Sequence, residues 1–184
     1  MESKLFTPVT FGPLTLRNRT IRSAAFESMC PGNAPSDMLL DYHRSVAAGG
    51  IGMTTVAYAA VTQSGLSFDR QLWMRPEIIP GLRRLTDAIH AEGAAAGIQL
   101  GHCGNMSHKS ICGCMPVGAS SGFNLYSPTF VRGLRADELP EMARAYGRSV
   151  NLAREAGFDS VEIHAGHGYL ISQFLSCLLY TSDA

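Results

Sequence analysis

A phrase of amphipathic helix, glycine stop and short apolar strand occurs three times, and this repetition constrains the fold more than any other feature of the chain. Residues 36–48 place Leu39, Tyr42 and Val46 on one helical face; Gly49 and Gly50 follow, and 51–58 read as a strand. Residues 80–92 place Leu82, Leu85 and Ile89 in register, Gly93 ends the run, and 96–100 read as a buried strand. Residues 137–156 space Leu139, Met142, Tyr146, Val150 and Ala153 by threes and fours, Gly157 ends the run, and 160–164 follow as a strand. Ser36 and Asp137 are expected N-caps, and Pro80 suits a first turn, where a missing N–H costs nothing. Glycine supplies the left-handed residue that closes each helix.

The strands are short and continuously apolar, the pattern of parallel strands covered by helices. Before them, residues 6–16 predict a small hairpin around Gly12-Pro13, and 20–23 begin a first strand. The order β-α-β-α-β-α-β makes an α/β protein. No G-x-G-x-x-G fingerprint follows any strand, which favours a (β/α) barrel over a doubly wound sheet. About four strand-helix phrases are present, where a whole barrel has eight strands in roughly 250 residues.

Composition removes several function classes. Fifteen Lys and Arg balance fifteen Asp and Glu among 184 residues, so no basic excess exists to neutralise nucleic-acid phosphates. An apolar content of 46% is too high for a disordered chain, and no apolar run approaches the roughly 20 residues of a membrane helix. The first residues, Met1-Glu2-Ser3-Lys4-Leu5-Phe6, lack the pattern of a secretory signal. Five cysteines without an export signal predict free thiols in a reducing cytoplasm. Cys103, His108, Cys112 and Cys114 lie close together, but their spacing lacks the C-x2-C knuckle of structural zinc sites, and no metal is expected.

In a barrel, chemistry sits on the carboxyl ends of the strands. The residues expected there are Ser23, Ala24, Ala25 and Phe26; then Ala57 and Tyr58; then Gln99 with His102; then His164 with His167 and Tyr169. Small side chains at Ala24 and Ala25 let a flat ligand approach the backbone. The Gln99 amide both donates and accepts, which suits the edge of a heterocycle. Two neutral imidazoles can donate paired hydrogen bonds to a carbonyl oxygen, and a phenol can supply a proton. Two other readings of the histidines are that they satisfy carbonyls in a buried turn, or that H-x2-H binds a metal, although no acidic third ligand is near.

Leu5-Phe6-Thr7-Pro8, Leu16-Arg17-Asn18-Arg19, the string from Gly97 through His102 to Gly104, and Glu162-Ile163-His164-Ala165-Gly166-His167-Gly168-Tyr169-Leu170 resemble the Old Yellow Enzyme family of NAD(P)H:flavin oxidoreductases. The resemblance runs in order from Leu5 to about Ser176. It implies a (β/α)8 barrel with FMN at its mouth, reduced by NADH or NADPH and passing hydride to an electron-poor alkene. Ser23 to Phe26 would border the flavin through backbone contacts, Tyr58 would lie beside it, and Gln99 would hydrogen-bond its ring. His164 and His167 would hold the substrate carbonyl, and Tyr169 would donate the proton. A small-molecule alkene is then the partner, with neither nucleic acid nor membrane, and with self-association open.

Departures from the family narrow the comparison. Phe26 stands where one branch carries a cysteine near the flavin, and Asn105 stands where many members carry arginine. Ala24-Ala25-Phe26-Glu27 and the loop over 101–136 are closer to the branch containing 2,4-dienoyl-CoA reductases. Longer members of that branch add an iron–sulfur cluster and a second nucleotide-binding region, whose motif Cys112 and Cys114 do not match. After Ser176 the family pattern stops, and 177–184 read as a non-native read-through tail. The expectation is therefore residues 1–176 as the N-terminal half of an FMN barrel, with open sheet edges and without the loops that anchor the FMN phosphate. The competing functions are a metal-dependent barrel lyase or aldolase using the two histidines, and a fragment without activity.

Overall fold

The computed structural model describes residues 3–125 and 128–176; the proposed tail at 177–184 lies outside them. An antiparallel hairpin comes first, β1 (Val9–Phe11) and β2 (Leu14–Leu16), turned by Gly12 at φ 54°. Four parallel strands follow in the spatial order β3 (Ile21–Arg22), β4 (Met53–Ala60), β5 (Ala95–Gly101) and β9 (Ser160–Ile163). The connecting helices are α1 (Asp37–Ala48), α2 (Ile79–Ala91) and α4 (Leu139–Glu155). Each of the three expected strand-helix phrases is therefore present, in a curved sheet with helices on one face.

Local chemistry accounts for the helix ends. The Ser36 hydroxyl accepts from the Leu39 N–H at 3.1 Å, so the first cap is as expected. Asp137 is not a cap: it lies inside a 3-10 turn over Ala136–Glu138 that precedes α4. Arg135 is the N-cap of that turn, and Glu138 closes a capping box by accepting from the Arg135 N–H at 2.8 Å while two Arg132 nitrogens donate to its carboxylate. The ion pair with Arg132 and the backbone bond together hold the Glu138 carboxyl down at about 2. Gly50, Gly93 and Gly157 close the helices at φ 93°, 76° and 89°.

The buried faces differ from simple periodicity in two helices. Alpha-2 buries Leu82, Leu85 and Ile89 as expected. In α1 the buried stripe is Leu39, His43 and Ala47, one residue round from Tyr42 and Val46. The polar His43 sits inside with its Nδ1 hydrogen-bonded to Thr54 Oγ1 at 2.8 Å and its Nε2 3.2 Å from the Glu27 carboxylate, a charge contact without hydrogen-bond geometry. Alpha-4 buries Ala145, Ser149 and Ala153, while Leu139 and Val150 are exposed. Small residues let that helix approach the sheet closely, and the Ser149 hydroxyl donates to Ala145 O. The core then joins Val56, Ala96, Ile98 and Leu100 of the sheet to Leu39, Leu82, Leu85 and Ile89 of the helices.

Residues 101–136, expected as a plain loop, carry a second small sheet. It comprises a short helix α3 (Lys109–Cys112), then β6 (Val117–Gly118), β7 (Gly122–Asn124) and β8 (Thr129–Gly133) in the order β6-β8-β7. Helix α5 (Leu170–Leu175) follows β9. Strands of two to five residues, each carrying a glycine, leave almost no periodic signal.

The Leu16-Arg17-Asn18-Arg19 string is a bottom staple. Arg17 donates to Ile51 O at 2.9 Å, to Glu92 O at 2.8 Å and to Ala47 O, so one guanidinium serves the carboxyl ends of α1 and α2. Asn18 donates to Gly50 O at 2.7 Å and accepts from Thr20.

Candidate active site

The free face of the parallel sheet carries the site. In β4, β5 and β9 alternate residues point away from the helices. A Cβ built on Gly97 would meet Ser160 Oγ, Thr55 Oγ1 and Met53 sulfur within 3.5 Å, which defines that inner surface. Gln99 lies opposite Glu162 in the register, and its amide nitrogen donates to Glu162 Oε1 at 2.6 Å. The Gln99 side-chain oxygen is thus left as an acceptor, held in one orientation.

Above this surface lies an open cleft of about 550 Å³ lined by Ser23, Ala24, Thr55, Gln99, His164 and His167 among others. Five of the expected site residues are therefore brought together: Ser23, Ala24, Gln99, His164 and His167. Ala25 is exposed on the same loop but does not line the cleft. Phe26 turns aside and stacks on Phe68, with centroids 4.7 Å apart. Tyr58 is buried beneath the histidines, with its ring 5.9 Å from that of His164. It supports the site from below.

His164 follows β9 and is buried, its N–H donating to Leu100 O at 2.8 Å. His167 is exposed and adopts φ 57°, a left-handed conformation unusual for a side-chain-bearing residue. The kink brings His167 Nδ1 to 3.2 Å from His164 Nε2. Burial first, then the neighbouring His167, lowers the His164 pKa, which keeps that imidazole neutral near pH 7. Here the rings bond one another; opening that bond frees an N–H for an incoming oxygen.

Tyr169 stands edge-on to His164 with centroids 4.9 Å apart. Its hydroxyl lies 3.5 Å from Ser67 Oγ, which lies 2.9 Å from the Tyr58 hydroxyl. Gln71 holds this group by accepting from the Ser67 N–H and donating to Tyr58 O. Burial pushes the Tyr58 phenol well above its ordinary range, so it stays protonated. Ser67 and Gln71 carry no sequence signal, because the loop bearing them comes from β4 and not from the histidine string.

A second group escaped sequence reading. Arg22 pairs with Glu27 at 3.1 Å across the Ser23–Phe26 loop, and His43 Nε2 lies 3.2 Å from the same carboxylate oxygen. The other Glu27 oxygen accepts from the Ala57 N–H at 3.3 Å, where the β4–β5 register shifts between Val56 and Ala59.

His102, expected at a strand end, faces away from the cleft. It is fully buried, accepts from the Gly104 N–H at 2.9 Å and lies 3.1 Å from Ser64 Oγ. Burial lowers its pKa to about 4. Cys103 and Cys112 are buried thiols donating to Leu66 O and Cys114 O. No group of three or more His, Cys, Asp or Glu among the described residues is arranged to hold a metal ion.

The cleft fits the ring part of a flavin. Small residues line one wall, a fixed amide acceptor stands on the floor, and two imidazoles stand at the rim. Neither Lys nor Arg is among the described residues lining it.

Comparison with known proteins gives the family and the fold. A family profile described as the NADH:flavin oxidoreductase / NADH oxidase family matches residues 4–181. A 4,4'-dithiodibutanoate disulfide reductase of Rhodococcus erythropolis is 42% identical over 172 residues, covering 94% of this chain and 43% of that protein. An NADPH dehydrogenase of Bacillus subtilis is 34% identical over 183 residues, covering 97% of this chain and 53% of that protein. The chain thus spans about half the length of these relatives. An old yellow enzyme homologue from Zymomonas mobilis superposes with a TM-score of 0.90 at 25% identity, over 99% of this chain and 54% of that one. A 2-naphthoyl-CoA reductase superposes with a TM-score of 0.91 at 25% identity, over 98% of this chain and 30% of that one. The four parallel strands are accordingly those of the first half of a (β/α)8 barrel.

Proposed function

Because this chain belongs to the NADH:flavin oxidoreductase / NADH oxidase family, we propose that it forms the substrate-holding half of an FMN-dependent NAD(P)H oxidoreductase acting on an electron-poor alkene. On this reading residues 1–176 are the first half of the FMN-binding barrel. The observation that carries the proposal is the His164–His167 pair, 3.2 Å apart at the rim of the cleft that Gln99 and Ser23 line.

Bound FMN supplies hydride transfer between the nicotinamide and the alkene. Ser23 and Ala24 would border the bound group through their backbone, and the Gln99 oxygen would accept a hydrogen bond from it. His164 Nε2 and His167 hold the substrate carbonyl oxygen, which draws electron density from the conjugated carbon–carbon bond. Tyr169 donates a proton to the carbon next to the carbonyl, with Ser67 keeping its phenol in place. Tyr58 and Phe26, first expected at the flavin, act behind this layer by supporting the histidines and the loop.

No helix among the described residues is long and apolar enough to cross a membrane. Cytoplasmic residence belongs to the same proposal, supported by the odd set of five cysteines. The test is anaerobic titration of the whole protein with FMN, then NADH or NADPH, then 2-cyclohexen-1-one. Stoichiometric flavin, bleached by one nicotinamide and recoloured by the enone, supports the reading. A protein that binds no flavin, or whose reduced flavin ignores the enone, refutes it.

A further inference from the structure

Two thiols outside the proposed active site are brought together by a turn. Cys112 ends α3, Gly113 follows in the left-handed region at φ 70°, and Cys114 comes next. The Gly113 N–H donates to Lys109 O at 2.9 Å, which fixes the reversal of the chain. Glycine adopts that conformation without strain. Cα atoms on either side of such a residue lie about 5.5 Å apart, inside the range that a disulfide spans. The Cys112 sulfur already points back over the next thiol-bearing residue, donating to Cys114 O at 3.2 Å.

Exposure separates this pair from the other cysteines. Among the described cysteines, Cys30, Cys103 and Cys112 are buried, and Cys114 is partly exposed. Burial pushes the Cys30 and Cys103 thiols up to about 12, and neither has an exposed neighbour of its own kind within a few residues. Cys112 packs with Ala60 and Leu66, and Trp73, Ile111 and Cys114 lie against that cluster. A reagent in solution therefore meets Cys114 first, with Cys112 behind it. Burial and then the Cys112 thiol raise Cys114 to about 11, so its thiolate is scarce at neutral pH and grows as the solution turns alkaline.

We infer that Cys112 and Cys114 form a reversible dithiol–disulfide site, oxidised by small disulfides of the glutathione type. The inference stands apart from the functional reading above. The Cys114 thiol gives up its proton, and its sulfur attacks one sulfur of the oxidised glutathione. A bond forms between them, and one glutathione thiolate leaves. The Cys112 thiol then gives up its proton and attacks the Cys114 sulfur, expelling the second glutathione. The pair loses two electrons and two protons, and the oxidised glutathione becomes two thiols. The second step is intramolecular, which favours closure of the ring over a lasting mixed disulfide.

The test exposes the whole protein to oxidised glutathione at mildly alkaline pH, removes the oxidant, alkylates the remaining thiols in urea and maps tryptic peptides by mass. Cleavage after Lys109 and Arg132 leaves Cys112 and Cys114 on one peptide and Cys103 on another. That peptide is expected to escape alkylation and to be two hydrogens lighter than its dithiol. Dithiothreitol is expected to restore both alkylation sites, while Cys30 and Cys103 stay alkylated throughout. In Cys114→Ser the oxidation of Cys112 is expected to be lost, because no exposed sulfur captures the oxidant. A peptide alkylated at both cysteines, glutathione retained on Cys114, or a link to Cys103 overturns the site. So does a link that forms only when urea is present during the exposure. If Cys114→Ser does not fold, the peptide map of the unsubstituted protein decides by itself.

Discussion

Arg22 and Glu27 meet at 3.1 Å and so close the base of the four-residue loop that carries Ser23 and Ala24 into the cleft. The Glu27 side chain is nearly covered and Arg22 partly so, and His43 and the Ala57 N–H share the same carboxylate. Removing one member of a buried ionic group strands the rest, at a cost of about 3 kcal/mol or more. Glu27→Ala is therefore expected to destabilise the fold by about that amount, and Glu27→Gln by less, because an amide oxygen still accepts from Ala57. Urea denaturation of the two variants checks the order; equal stability of Glu27→Ala and the parent contradicts it.

Arg17 holds the carboxyl ends of two helices with one planar group. Arg17→Met is expected to lower stability by about 2 kcal/mol, the scale of charged hydrogen bonds lost together. Arg17→Lys recovers only part, since an ammonium lacks the fork that spans three carbonyls. Thermal unfolding of both variants reads the difference directly.

Acid stability follows from His102, whose pKa burial lowers to about 4 from an ordinary value near 6.5. A depressed folded-state value means the unfolded chain binds the proton more readily. The contribution of neutral His102 is full above pH 6.5 and is lost as pH falls towards 4. At about 1.4 kcal/mol per pKa unit, the loss approaches 3 kcal/mol. Denaturation between pH 7 and 4 should show this limb, and His102→Asn should flatten it.

Gly101 sits where a Cβ would come within 3.0 Å of Tyr58 Cδ2 and 3.2 Å of His164 Cβ. Gly101→Ala must displace the imidazole or its support, by tenths of an ångström. Catalytic geometry tolerates such shifts poorly. Enone turnover is expected to fall about tenfold while the melting temperature changes little, a split measured by kinetics alongside calorimetry.

Much of this architecture was legible from periodicity and punctuation. The three helices and their strands follow spacing of apolar residues and glycine stops, which act within a few positions of each other. His164 and His167 were legible because they lie three residues apart. Other parts depend on contacts far along the chain: Glu27 reaches Ala57, and Ser67 reaches Tyr169 across 102 positions. Alpha-1 shows why periodicity misleads near such contacts, since His43 turns inward only because Thr54 and Glu27 receive it. His102 looked like a site residue by proximity to Gln99, but the chain leaves the strand at Gly101 and the alternation stops with it. The hairpin of β7 and β8 was missed because its aromatic residues, Phe123 and Phe130, face solvent and each other.

On the proposed function, His164 and His167 hold the carbonyl of an alkene beside bound flavin. Rapid mixing of reduced, FMN-loaded His164→Ala/His167→Ala protein with 2-cyclohexen-1-one measures it most directly. Removing hydrogen-bond donors from developing negative charge costs roughly 10²- to 10³-fold per donor. Flavin reoxidation by the enone should slow by at least 100-fold on that scale, with flavin still bound. Reoxidation at the parent rate would contradict the assignment.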